Sequence, residues 1–221
     1  MQIEPIAYFH SPFATKFGVP KQSGLVENLQ GIIEFVPKYR NADALRGMEE
    51  FDYLWLVWGF SANKNAATSP VVRPPLLGGN VRMGVFATRS PFRPNRLGLS
   101  SVRISEVELD TPRGPLIHVL GADLMDGTPI YDIKPYVVYA DCHPNARSGF
   151  VDKHAIRHLD VSIPDSVALK FDARTLAALR KVLELDPRPQ YHDDPLKVYG
   201  MMYAGIDVRF KVANGVLTVI D

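Results

Sequence analysis

Apolar residues return along most of this chain at the two-residue spacing of strands, and at helical spacing over only one long stretch. Ile3–His10, Gly31–Phe35 and Leu116–Leu120 are short runs of β-type composition. Leu99–Leu109 alternates through Val102, Ile104, Val107 and Leu109, and Thr111-Pro-Arg-Gly-Pro115 predicts the turn that follows it. Gly84–Ala87 reads as a short buried strand. Tyr53–Phe60 is apolar or glycine throughout, with two tryptophans, and predicts a strand buried on both faces; a core helix shares that pattern. Thr128–Tyr136 alternates, so that Ile130, Asp132 and Lys134 point one way and Tyr131, Ile133 and Pro135 the other. Asn41 is placed to cap a short helix with Leu45, Met48 and Phe51 on its apolar face. Farther on, Asp172 caps a helix through Leu185 with Leu176, Leu179 and Leu183 aligned, and Pro187 stops it. Tyr199–Ala204 and Ile206–Val212 read as strands, and Asn214-Gly215 is a hairpin turn.

Strand following strand with tight turns and no βα alternation predicts a mainly β chain built on an antiparallel β-barrel, with a small α+β domain at its C-terminal end. The pattern fades after Ala140 into a polar stretch, which divides the chain into a barrel at 1–145, a connector at 146–164 and the small domain at 165–221. That last segment carries as many acidic as basic residues and is short enough to be marginal alone. It is expected to dock on the barrel or on a second subunit.

A length of 221 residues with 46% hydrophobic content is ordinary for a globular chain with a sizeable core. No stretch approaches the roughly 20 apolar residues of a bilayer span, and the N-terminus lacks a signal-peptide pattern, so a cytoplasmic location is expected. The single cysteine, Cys142, excludes an internal disulfide and any multi-cysteine metal site. His154 and His158 have helical ligand spacing without a third partner, and no metal is expected.

Charge changes the picture more than composition does. The net charge is only +1, yet no Asp or Glu occurs between Tyr53 and Ser105, where Lys64, Arg73, Arg82, Arg89, Arg93, Arg96 and Arg103 all fall. Such a block concentrates positive potential and suits a polyanionic partner. Within it, Pro91 and Pro94 stiffen the segment carrying Arg89, Arg93 and Arg96, so their guanidinium forks are expected to project from a pre-ordered loop toward an anion. A solvated basic loop is the plainer reading. Two other loops stand out. Ser11–Gln30 is long and offers Lys21 and Gln22 between Pro20 and Gly24. Asp126-Gly127-Thr128-Pro129 is a turn whose aspartate can bond the amides just ahead of it, and it leads to the Asp132–Lys134 pair. Taken alone, that pair reads equally well as a surface ion pair.

The stretches Gly84–Ser100 (GVFATRSPFRPNRLGLS), Val72–Asn80 (VRPPLLGGN), Asp126–Tyr136 (DGTPIYDIKPY), Ser11–Leu25 (SPFATKFGVPKQSGL) and Asp186–Tyr191 (DPRPQY) together resemble the TsaA-like, TrmO-type tRNA methyltransferases. The likeness runs over nearly the whole chain, with one departure: Arg96-Leu97 stands where that family has Pro-Ile. The resemblance implies an S-adenosylmethionine-dependent enzyme that methylates N6 of N6-threonylcarbamoyladenosine beside the anticodon of tRNA. It implies donor contacts at Pro20, Lys21, Gln22, Ser61, Ala62, Arg89, Leu99, Asp126, Gly127, Thr128 and Pro129, and a homodimer with the cofactor near the interface. A cofactor that brings its own electrophile suits a chain with no Ser-His-Asp or Cys-His arrangement and no Gly-x-Gly-x-x-Gly. Asp132 is then the candidate proton acceptor. Lys134 and Tyr136 are catalytic candidates beside it and, with Tyr131, would hold the substrate or the polarised carbonyl, and Arg93, Asn95 and Arg96 would meet the anticodon stem-loop or the threonyl carboxylate. Two rivals belong to other classes. A non-enzymatic RNA-binding barrel would lack cofactor affinity, and an adenosyl-ligand sensor would bind cofactor without RNA.

Overall fold

The computed structural model describes residues 2–63, 69–154, 156–189 and 194–220. Lys64, Gln190 and Tyr191, which the sequence brought forward, lie outside them. The N-terminal part contributes β1 (Ala7–His10), β2 (Gln30–Phe35), β3 (Tyr53–Gly59), a two-residue ribbon of β4 (Val71–Val72) and β5 (Met83–Gly84), then β6 (Leu97–Glu108), β7 (Leu116–Leu120) and β8 (Thr128–Pro135). Six of these close into an antiparallel barrel in the order β1-β2-β7-β6-β3-β8.

Alternation decides which side chains fill it. Phe9, Ile33, Leu54, Leu56, Trp58, Val102, Ile117, Val119 and Ile130 point inward and are buried, together with Leu124 from the turn after β7. Two glycines make room for the largest rings: a Cβ at Gly98 would stand 2.3 Å from the Trp58 indole, and one at Gly31 would stand 2.1 Å from the Phe9 ring. Tyr53–Gly59 is thus a strand buried on one face only. Tyr53 and Trp55 lie on its outer side, stacked loosely against Tyr136, with ring centroids 6.1 and 5.8 Å away.

Three local expectations give way to backbone geometry. Val85–Ala87 is a 3-10 turn rather than a strand, with Val85 buried and Phe86 79% exposed. Asn41 does accept the Asp43 amide as a cap, but Gly47 at φ 85° splits the expected helix into two short 3-10 turns. In β8 the pairing with β3 skips a residue, Val57 facing Asp132 and Trp58 facing Ile130, so Tyr131 is a bulge. Ile130 consequently points into the barrel while Asp132 and Lys134 point out, and the three do not share a face.

After the one-turn helix α1 (Val138–Asp141) the chain reaches β9 (Asp160–Ser162), the short α2 (Asp165–Ala168) and α3 (Ala173–Glu184), capped by Asp172 through the amides of Arg174 and Thr175. The hairpins β10 (Tyr199–Tyr203), β11 (Ile206–Ala213) and β12 (Val216–Ile220) complete a sheet ordered β10-β11-β12-β9. The edge strand β9 comes from within the segment expected to be a connector, and it pairs parallel to β12. Three residues of mixed polarity give no periodic signal, so only the partner strand reveals it.

This sheet and α3 form a second apolar cluster that includes Phe13, Val26 and Leu29 of the long N-terminal loop. Phe13 bridges to Tyr203, their rings 5.2 Å apart, and the Ala204 amide donates to the Pro12 carbonyl at 2.8 Å. The small C-terminal unit therefore docks within its own chain, on the loop that carries Lys21 and Gln22.

Candidate active site at the barrel mouth

β1, β3 and β7 end, and β2, β6 and β8 begin, at the same rim of the barrel. The connections at 11–29, 60–96 and 121–127 therefore converge there. They carry Pro20, Lys21, Gln22, Ser61, Ala62, Arg89 and Asp126–Gly127; Thr128 and Pro129 open β8 at the same rim, and Leu99 lies three residues into β6.

The first and third loops are laced together. The Gly24 amide donates to the Gly121 carbonyl at 2.8 Å, the Asp126 amide to the Phe13 carbonyl at 2.8 Å, and the Gly127 amide to the Phe9 carbonyl at 2.8 Å. The Asp126 carboxylate does not bond the amides just ahead of it as the turn sequence suggested. It reaches across to the Ser11 amide at 3.2 Å and lies 3.3 Å from His10 Nδ1. Thr128 is buried with its hydroxyl donating to the Met125 carbonyl, which leaves the turn itself rigid.

Two of the three arginines do not project as expected. Arg93 donates to the Thr88 carbonyl at 3.0 Å, within its own loop. Arg96 donates to the Asn63 carbonyl at 2.8 Å, and its own carbonyl accepts the Phe60 amide at 2.9 Å, so it clamps the turn holding Ser61 and Ala62. Arg96 has φ 48°, a left-handed conformation closed to proline, so the Arg-for-Pro departure seen in sequence comes with its own backbone turn. Arg89 remains exposed and donates to Gln22 Oε1 at 2.6 Å, joining the first two loops. Asn95 and the rings of Phe86 and Phe92 are exposed on the same segment.

Asp132 and Lys134 form an ion pair on the outer wall, Nζ to Oδ2 3.0 Å, both well exposed. Across the strands Val57 pairs with Leu99 on one side and with Asp132 on the other, so Leu99, 54% exposed, and Asp132 occupy one row of that wall. Tyr131 lies beside them over Gly59, where a Cβ would stand 2.9 Å from its ring. Tyr136 is set apart. Its amide bonds the Tyr53 carbonyl where β3 begins, so it sits at the opposite end of the barrel from the loops. Its phenol is pushed above the ordinary value, chiefly by burial and then by the nearby Cys142 thiol and Asp141.

One group at the mouth gave no sequence signal. Asp123 accepts from the Ser100 hydroxyl at 2.5 Å, and Ser100 in turn accepts from Trp58 Nε1 at 3.0 Å inside the barrel. The Ser23 amide also bonds it, and the Arg89 guanidinium is near enough to favour its charged form, but burial outweighs both and raises its pKa. Its partners are remote in sequence, so nothing local announced it. Elsewhere a shallow groove of about 300 Å³ opens beside His10, Gln30, Gly31 and His118, on the wall across the barrel from β3. It adjoins the mouth through Ser11 and Pro12 of the 11–29 loop and the His10–Asp126 contact. Among the described residues no group of three or more His, Cys, Asp or Glu converges as a metal site, and no helix is long and apolar enough to cross a membrane.

Comparison with known proteins agrees with this architecture throughout the chain. The sequence model of the tRNA-methyltransferase O N-terminal domain matches residues 8–142, and that of the TrmO C-terminal domain matches residues 158–221. The tRNA (adenine(37)-N6)-methyltransferase of Escherichia coli is 39% identical, over 96% of this chain and 94% of its own length. A Pseudomonas aeruginosa relative, provisionally named an S-adenosylmethionine-dependent methyltransferase, is 35% identical over 94% of this chain and 91% of its own. A crystal structure of TrmO from Pseudomonas aeruginosa superimposes with a TM-score of 0.80 at 30% identity, covering 100% of this chain and 95% of that one. With both halves matched in order and the barrel reproduced, the chain belongs to the tRNA-methyltransferase O family.

Proposed function

We propose that this protein methylates N6 of adenosine 37 in tRNA, with S-adenosylmethionine as donor, and that the acceptor carries a threonylcarbamoyl group on that nitrogen. The observation that carries the reading is the convergence of three loops at one rim, with the Leu99–Val57–Asp132 row on the wall next to it. The donor has an adenosyl part, with a flat aromatic face and hydrogen-bonding edges, and a zwitterionic tail. Exposed Leu99 and the loop backbone fit the first, and the Gln22-braced Arg89 fits the tail's carboxylate. S-adenosylmethionine, when bound, supplies an electrophilic methyl group and departs as a neutral thioether, so the proton on N6 must go to the protein or to water.

That proton is the difficult part. A carbamoylated adenine N6 is urea-like and weakly nucleophilic until it loses its hydrogen. We assign proton acceptance to Asp132, directly or through one water, with Lys134 stabilising charge that develops on the carbamoyl oxygen. Tyr131, fixed against Gly59, would hold the base. Tyr136 serves from a distance, by packing on Tyr53 and Trp55. Asn95 and the exposed part of the 86–96 segment would face the anticodon stem-loop, held in shape by Arg93 and Arg96. A homodimer that covers the outer wall near Leu99 belongs to the same reading, and light scattering in solution tests it.

The central experiment uses purified protein, labelled methyl donor, and two tRNA preparations, one bearing threonylcarbamoyladenosine and one lacking it, followed by nucleoside mass spectrometry. Methylation of the modified tRNA alone is the expected result. Methylation of both overturns the requirement for threonylcarbamoyl, and methylation of neither overturns the reading.

A further inference from the structure

Buried carboxylates are ordinarily paired with a cation, because desolvating a charge without compensation is expensive. Asp123, half-buried at the mouth, departs from that habit. It has a hydroxyl donor in Ser100 at 2.5 Å and the Ser23 amide, and it feels Arg89, yet among the described residues it forms no ion pair, while the Arg89 guanidinium bonds Gln22 Oε1 at 2.6 Å. Two opposite charges therefore stand close together at the rim, held separately by loops 11–29, 60–96 and 121–127. The scaffold beneath them is rigid: Ser100 is buried, and the Trp58 indole fixes its hydroxyl from inside the barrel.

A carboxylate and a guanidinium kept apart in this way complement an α-amino acid, whose ammonium and carboxylate are likewise adjacent and opposite. We propose that Asp123 takes the α-ammonium of the methyl donor while Arg89 takes its α-carboxylate. The assignment rests on the donor named above, and the new element is Asp123. Ammonium binding would supply the missing cation, and the hydrogen bonds from Ser100 and Ser23 leave further acceptor positions on the carboxylate for it.

Calorimetric titration of S-adenosylmethionine and of 5′-methylthioadenosine, which keeps the nucleoside and sulfur but lacks the amino acid, tests this on wild type and Asp123→Asn. Asparagine can still accept from Ser100 and Ser23. The expected result is a loss of about tenfold or more in S-adenosylmethionine affinity, with methylthioadenosine affinity nearly unchanged. Equal losses for both would make Asp123 a mere brace of the rim and overturn the assignment; so would no loss for either. Should the variant not fold, wild type titrated with S-adenosylhomocysteine and with its deaminated analogue gives the same answer. About tenfold weaker binding of the analogue is expected, and equal binding overturns the proposal. Wild type that binds no S-adenosylmethionine would remove the donor reading itself, which distinguishes that failure from an unaffected variant of a binding-competent protein.

Discussion

Lys134 Nζ stands 3.0 Å from Asp132 Oδ2 on the outer wall of the barrel, and the β-bulge at Tyr131 is what turns this pair outward while Ile130 remains in the core. A surface ion pair by itself contributes little to stability, so the two residues are best distinguished by kinetics. Asp132→Asn is expected to lower the methyl-transfer rate by about a hundredfold or more, with donor and tRNA affinities nearly intact. Single-turnover measurements at saturating donor and tRNA check this. An unchanged rate would leave Asp132 as half of an ion pair and nothing else.

Arg89 joins the 60–96 loop to the 11–29 loop through Gln22. Arg89→Ala is expected to weaken donor binding by roughly ten- to a hundredfold, the loss of one charge-assisted contact. Calorimetry on the folded variant gives the number, and unaltered affinity would take Arg89 out of the site.

Arg96 and the exposed arginines should behave differently toward salt. Arg82 is exposed, whereas Arg96 is half-buried and holds the turn of Ser61 and Ala62. Arg82→Gln is expected to flatten the plot of log tRNA affinity against log salt by about 0.7 per lost phosphate contact. Arg96→Gln should leave that slope alone and weaken donor binding instead. A flattened slope for Arg96→Gln would mean that its charge meets phosphate despite the clamp.

Burial holds the Asp123 carboxyl above its ordinary value of 3.8. The folded state thus binds this proton more tightly than the unfolded chain does, and the group's stabilising contribution is present below the unfolded value and is lost as pH rises through the folded one. Asp123→Asn is therefore expected to raise the melting temperature at pH 7, with the gain shrinking as the pH falls through the folded value toward about 4 and changing no further below it. Thermal melts across that range check the sign. A variant less stable than wild type at neutral pH would show that the lost hydrogen-bond strength outweighs the relieved charge.

How much of this was legible depended on the range over which the decisive contact acts. β7 was read to the residue and the β6 strand nearly so, because inward and outward positions alternate along them and turn residues bracket them. Tyr53–Phe60 predicts a strand with both faces buried and shares its pattern with a core helix, since Tyr53 and Trp55 are as apolar as the inward Leu54 and Leu56; only the barrel's closure separates the two sets. The positions of the mouth loops follow from their proline and glycine content, whereas Arg93 and Arg96 fold back onto carbonyls that no spacing rule names. Asp123 was invisible for a related reason. Its hydroxyl partner is 23 residues earlier, and its amide partner lies in another loop altogether.

Phe13, Val26 and Leu29 belong to the same apolar cluster as Phe210, Leu217 and Val219, and a Cβ on Gly18 would stand 2.5 Å from Met201 Sδ. The floor beneath Pro20–Gln22 is therefore built from the last strands of the chain. During synthesis the barrel staves emerge first, while the apolar underside of the loop at their rim waits in water for a cover still inside the ribosome. The apolar underside of that loop is covered only once β10, β11 and β12 have been made. A nascent or C-terminally clipped chain would hold a closed barrel with an unfinished mouth.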